Sequence, residues 1–140
     1  MPRAAEFLND MRALDVTEGR ETQRLELLDD LCVYSGYLNA QITVPRGFTF
    51  DGESIPAALQ WLVPPFGQSK RGACVHDYLY RFAGYHLPGG RLIHVSRTDA
   101  DRVYRELVLA KGLPAWRATL RYRVLRLVGG AAWKANRKVA

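Results

Sequence analysis

Leu25, Leu27, Leu31 and Val33 fall on odd positions within Gln23 to Tyr34. A period of two is that of a strand with one face buried. The segment therefore predicts one or two strands, bent near Asp29-Asp30 and followed by turn chemistry at Tyr34-Ser35-Gly36-Tyr37. Gln41-Ile42-Thr43-Val44 and Gly47-Phe48-Thr49-Phe50 are β-branched and aromatic runs around Pro45-Arg46-Gly47. They predict a hairpin-like pair and hence a small antiparallel sheet. Ahead of them, Phe7, Leu8, Met11 and Leu14 have the spacing of a short amphipathic helix or a docking arm.

The period then lengthens. After a turn at Asp51-Gly52-Glu53, Ser54 is placed to cap a short helix starting near Ile55-Pro56 and ended by Pro64-Pro65-Phe66-Gly67. No proline interrupts Ser69 to Ala83, where Ala73, His76, Asp77 and Tyr80 recur at helical spacing on one face. Gly84 to Val95 reads as a loop around Pro88-Gly89-Gly90. Thr98 with Asp101 resembles a capping box ahead of Val103, Tyr104, Leu107 and Val108, in a helix that stops at Gly112. Pro114 opens a last helix with an apolar stripe of Trp116, Leu120, Val124, Leu127 and Ala131, interrupted by Gly129-Gly130 and expected to face the core. Strands first and helices after argue an α+β fold: a small N-terminal antiparallel sheet of short strands, then three or four helices. Residues 1–20 would form an arm or short helix, and residues 21–140 a single domain ending in a basic helix.

The bulk numbers fit one globular unit. Of 140 residues, 48% are hydrophobic and 24% charged, enough for one core without staples. Cys32 and Cys74 alone do not make a disulfide scaffold and are expected reduced. No long apolar run opens the chain, which predicts a product made in the cytoplasm. Charge changes the picture more. Residues 1–60 carry 5 basic and 10 acidic side chains, and residues 61–140 carry 15 and 4. From Pro114 onward there are seven Lys or Arg and no acid. Such a half suits an anionic partner (nucleic acid, a lipid surface or an acidic protein), or is a solvated basic helix with a frayed tail.

The candidate chemistry lies in His76, Asp77, Tyr80, Asp99 and Asp101. A neutral imidazole takes a proton from water near neutral pH, and a carboxylate on its other nitrogen fixes the tautomer. Neighbours on a helix point about 100° apart, so Asp77 cannot orient His76. Asp101 or Asp99 on the next helix is the candidate, with Tyr80 donating to the same carboxylate. Asp77 is then available, with Asp51 and oxygens of the Phe50 to Glu53 turn, for a hard cation such as calcium, which would polarise a carbonyl. The competing reading is structural: His76 and Asp77 as hydrogen-bonding helix residues, Asp99 and Asp101 as first-turn acids.

Other features carry less. Cys74 lies about 200° around the helix from His76, against a Cys-His nucleophile pair. His86 and His94 could join His76 on zinc, but at a spacing that matches no metal motif. Trp61 to Phe66 reads as core packing, or as an acyl slot or docking patch.

Two resemblances attach to these residues. Thr43-Val44-Pro45 with Gly47-Phe48, Asp51-Gly52 with Ser54-Ile55-Pro56, His76-Asp77 with Leu79-Tyr80, and Ala100-Asp101-Arg102 together resemble an uncharacterised bacteriophage and prophage family, a domain of unknown function, from about Leu38 to Trp133. This resemblance implies a phage gene product made in a bacterial host. Ala73-Cys74-Val75-His76-Asp77 with Tyr80-Arg81, followed by Arg97, Asp101 and Tyr104, is similar to the catalytic helices of bacterial secreted phospholipases A2. That similarity implies that His76 activates water, Asp101 orients His76, Tyr80 binds Asp101, and Asp77 with Asp51 holds calcium. The chain departs from those enzymes in having two cysteines in place of their several disulfides and a calcium-loop match reduced to Phe50-Asp51-Gly52, and no signal peptide is expected.

Three functions compete. The first is a metal-assisted hydrolase of lipid esters, engaging a lipid or membrane surface. The second is a virion accessory protein of tail or head, docking on other virion proteins, with a structural His-Asp-Tyr cluster. Nucleic-acid binding comes last: Arg117, Arg121, Arg123 and Arg126 spread around their helix without a reader motif.

Overall fold

The computed structural model describes residues 3–17, 24–51 and 70–139. Among them the strands are β1 (Glu6–Phe7), β2 (Ala13–Asp15), β3 (Arg24–Leu27), β4 (Leu31–Ser35), β5 (Ala40–Val44) and β6 (Thr49–Asp51). Helix α1 (Lys70–Phe82) follows, then β7 (Gly84–His86), β8 (Leu92–His94), α2 (Arg97–Ala110), α3 (Ala115–Val128) and α4 (Gly130–Val139). This is an α+β fold in a single domain, with small antiparallel sheets leading into the helices.

The alternating segment splits at Asp29-Asp30 into β3 and β4, and these two strands belong to different sheets, ordered β2-β3-β6 and β1-β4-β5. In β4 the buried residues Leu31, Val33 and Ser35 alternate with half-exposed Cys32 and Tyr34. Burial of every second side chain fixes the register, since a slip by one residue would turn the apolar set to water. The two runs around Pro45 to Gly47 do not pair with each other. β5 pairs with β4, setting Ile42 opposite Val33, and β6 pairs with β3, setting Phe50 opposite Leu25. Gly47, at φ 88°, carries the chain from one sheet to the other.

The N-terminal residues form strands rather than a helix. Phe7 lies opposite Val33 in the β1–β4 pair, while Leu8 and Leu14 remain exposed. Alternate side chains thus point opposite ways, which undoes the helical face. Gly84 to Val95 is likewise no plain loop: β7 and β8 form a hairpin, with Tyr85 opposite Ile93 and a tip at Pro88-Gly89-Gly90. The short helix expected near Ile55 and the Trp61 to Phe66 cluster fall in residues 52–69, outside the described residues.

Leu25, Leu27, Leu31, Val33, Ile42, Val44 and Phe50 from the sheets meet Cys74, Val75, Tyr78 and Leu79 of α1 and Val103 and Leu107 of α2 in one core. A smaller cluster of Ala73, Tyr104, Val108, Leu113 and Ala118 joins α1, α2 and α3. The cap of α2 stands two residues earlier than the sequence pattern predicts: Ser96 accepts from the Asp99 backbone N–H, and the Asp99 carboxylate accepts from the Ser96 N–H. Thr98 and Asp101 are therefore inside the helix. The last helical stretch breaks at Gly129 into α3 and α4. Its predicted stripe faces the core only in part: Val124 is buried beside Ala118 and Arg121, while Trp116 is 64% and Leu127 84% exposed.

Candidate functional site

α1 is buried almost all round, so even its polar residues point into protein. His76 is 8% exposed and Asp101, facing it from α2, is 0% exposed. His76 Nε2 lies 2.8 Å from Asp101 Oδ1. One turn further along α1, the Tyr80 hydroxyl donates to the same oxygen at 2.6 Å. Arg126 of α3 takes the other oxygen, Nη1 to Oδ2 at 2.9 Å. A buried carboxylate needs such compensation, because an unpaired one is far costlier than a paired one.

Burial alone would raise the Asp101 carboxyl. Hydrogen bonds from His76, then Tyr80, the charge of His76 and the Arg126 bond outweigh it and hold the group below its ordinary 3.8. Asp101 is thus an ionised acceptor. Burial, together with the bond to Asp101 and its charge, pushes the Tyr80 phenol well above its usual range, so it remains a neutral donor.

With an ionised acceptor at Nε2, the imidazole carries its proton there and presents a lone pair at Nδ1. The ring is packed on two sides, 4.1 Å between centroids from Tyr80 and 5.4 Å from Tyr104. Nδ1 is nevertheless not an enclosed orphan. It is not among the buried side-chain atoms left without a hydrogen bond. The geometry is that of an imidazole fixed through Nε2 by a buried carboxylate.

The structure brings together three of the four sequence candidates for catalysis, His76, Asp101 and Tyr80. Asp99 stands apart. One of its oxygens closes the α2 cap and the other accepts the Tyr37 hydroxyl at 2.7 Å, a bond that, with the cap, lowers its carboxyl. Asp77 follows His76 on α1 and is half-buried. Asp51 ends β6, which packs against α1; its side chain lies outside the described residues. Among the described residues no three His, Cys, Asp or Glu side chains gather for a metal. His86 is engaged elsewhere, its Nδ1 2.7 Å from the Tyr78 hydroxyl beside a groove of about 650 Å³ lined by Gln41, Thr43 and Pro88 among others.

Sequence reasoning named Arg97 and Arg126 but gave neither a place in this network. Arg97 reaches the Tyr80 hydroxyl with Nε at 3.3 Å and the carbonyls of Leu125 and Arg126 with Nη2 at 2.7 and 2.8 Å. It therefore ties the end of α3 to α1. The signal for Arg126 was indirect: Asp101 falls on the apolar side of α2 with Tyr104 and Val108, and an acid there demands a cation from a neighbouring element.

Residues 25–125, well over half of the chain, match a family model described as "Protein of unknown function (DUF1353)". No curated protein and no solved structure matches the chain.

Proposed function

The chain belongs to the DUF1353 family, whose description assigns no activity, and from the geometry of its own site we propose a hydrolase of lipid esters in which His76 activates water. One observation carries this reading: Nε2 of His76 is bound to the buried Asp101 at 2.8 Å, while Nδ1 is neither hydrogen-bonded within the described residues nor a buried orphan. In the proposed reaction Nδ1 takes a proton from water as its oxygen adds to the ester carbonyl. The tetrahedral oxyanion then collapses, the C–O bond to the alcohol breaks, and the departing oxygen recovers the proton from Nδ1. Asp101 orients the ring and stabilises its transient charge, and Tyr80 holds Asp101 in place. Arg126 offsets much of the charge of Asp101, so orientation is the larger part of that carboxylate's role. Calcium enters as what Asp77 and Asp51 would hold, supplying polarisation of the carbonyl.

The resemblance to a phage and prophage family and to phospholipase A2 helices supports the substrate class and a phage or prophage origin. The test is fatty-acid release from mixed bacterial lipids by the purified protein, with and without calcium. His76→Ala is expected to lower the rate on the order of 10²- to 10⁴-fold. No release by the native chain, or full release by the variant, rejects the reading.

A second reading rests on another observation, that Asp101 is fully enclosed and shared by α1, α2 and α3. A network of that kind suits a virion accessory protein in which the cluster is structural. Mass spectrometry of purified particles decides it: a fixed copy number favours the accessory protein, and absence from particles counts against it.

A further inference from the structure

Helix α3 buries Val124 of its apolar stripe but turns Trp116 and Leu127 away from the protein. At about 100° per residue, Trp116, Leu120, Arg123 and Leu127 share one side, opposite the buried Ala118 and Arg121. Trp116 is 64% and Leu127 84% exposed. The inner side is fastened by polar contacts, Arg126 to Asp101 at 2.9 Å and Arg121 Nη1 to the Tyr104 hydroxyl at 3.2 Å. The helix cannot roll to hide the stripe without breaking them. A shallow groove of about 370 Å³ lies along it, lined by Ala115, Trp116, Thr119, Leu120 and Arg123.

The charge around this face has one sign. Pro114 to Ala140 holds seven Lys or Arg and no acid. The Arg117 guanidinium lies 5.1 Å from the Trp116 ring centroid, and Arg105 of α2 reaches Thr119 at 3.2 Å. Exposed apolar side chains in a cationic setting need a partner that is anionic at its surface and oily just beneath it. A phosphate backbone satisfies the arginines but gives Leu127 nothing to bury against. An anionic bilayer supplies both, and an indole at its edge sits at headgroup level.

We propose that the outer face of α3 docks on an anionic lipid surface. The helix lies parallel to the bilayer, Trp116 and Leu127 enter the boundary between headgroups and acyl chains, and Arg117 and Arg123 meet lipid phosphates. This extends the lipid-ester reading but rests on α3 alone, and its test has no catalytic readout.

The test is sedimentation of the full chain with vesicles of phosphatidylglycerol and phosphatidylcholine, beside vesicles of phosphatidylcholine alone. The protein is expected to bind the mixed vesicles at least about tenfold more tightly, with the difference shrinking as salt is added. Trp116→Ala combined with Leu127→Ser should lower partitioning at least about tenfold, with circular dichroism and melting temperature unchanged because both side chains are exposed. Arg123→Glu should weaken binding to mixed vesicles and leave binding to neutral ones alone. His76→Ala should bind like the native chain, which separates docking from hydrolysis. Absence of binding to anionic vesicles, or a double variant that partitions like the native chain, overturns the proposal. So does a double variant that loses retention on duplex DNA, or self-association, when vesicles capture neither form.

Discussion

A methyl group on Gly129 would stand 2.6 Å from the Tyr80 hydroxyl oxygen and equally close to the Leu125 carbonyl. The joint between α3 and α4 is therefore built against the same phenol that supports Asp101. Gly130 next to it has no such constraint, since the nearest atom to a Cβ there is Arg97 Nη1 at 3.6 Å. Gly129→Ala is expected to destabilise the protein by about 1–3 kcal/mol through overpacking. Gly130→Ala, at the start of a helix, should be neutral or stabilising by up to about 1 kcal/mol. Urea midpoints of the two variants check the contrast, and equal effects would contradict it.

Removing the acceptor at the centre of the network should cost more. Asp101→Ala leaves Arg126, His76 and Tyr80 without their common partner, and loss of about 3–5 kcal/mol is expected. Tyr80→Phe deletes one buried hydroxyl and leaves Asp101 its other two donors, so about 1–3 kcal/mol is expected. Chemical denaturation orders the two; a Tyr80→Phe variant as weak as Asp101→Ala would place the weight of the network elsewhere.

Acid should unfold the protein partly through this carboxylate. Asp101 is held below 3.8 in the folded chain, so as pH falls the unfolded chain takes up the proton first. Its contribution to stability is complete above that ordinary value and is lost as pH drops through the lower folded one. Asp99 acts with the same sign. Asp101→Asn should flatten the dependence of stability on pH below about 4, and identical slopes for the two proteins would refute the assignment.

The two thiols should differ in reach. Cys74 is 0% exposed, and burial first, then Asp77 nearby, raises its thiol well above an ordinary one. Cys32 is half-buried on β4. A disulfide reagent should label Cys32 first, and Cys74 only at the rate of unfolding; equal rates would show that α1 opens locally.

Local periodicity made the strands around Leu25 to Val33 and the helices carrying His76 and Asp101 legible in the sequence. His76, Tyr80 and Asp101 follow from spacing along α1 and α2 together with the phospholipase resemblance. Pairing between distant segments was not legible. Nothing around Phe50 announces that β6 joins β3 instead of β5, because the alternation states which side chains share a face and not which strand lies alongside. The cap of α2 was misplaced because Thr98 and Asp101 fit the same short motif as Ser96 and Asp99. The stripe on α3 shows a further limit: periodicity reveals an apolar side but not how much of it turns inward, and here Val124 is buried with Ala118 and Arg121 while Trp116 and Leu127 face out.

The polar contacts on that inner side set how α3 comes loose. Peeling it from α1 and α2 would uncover guanidinium, phenol and carboxylate groups beside the small apolar cluster around Ala118, so the opening should carry a smaller heat-capacity increment than melting of the sheet-backed core. The detachment of this helix would then respond to ionic strength and acidity as well as to warming, and would separate from the melting of the sheet-backed core.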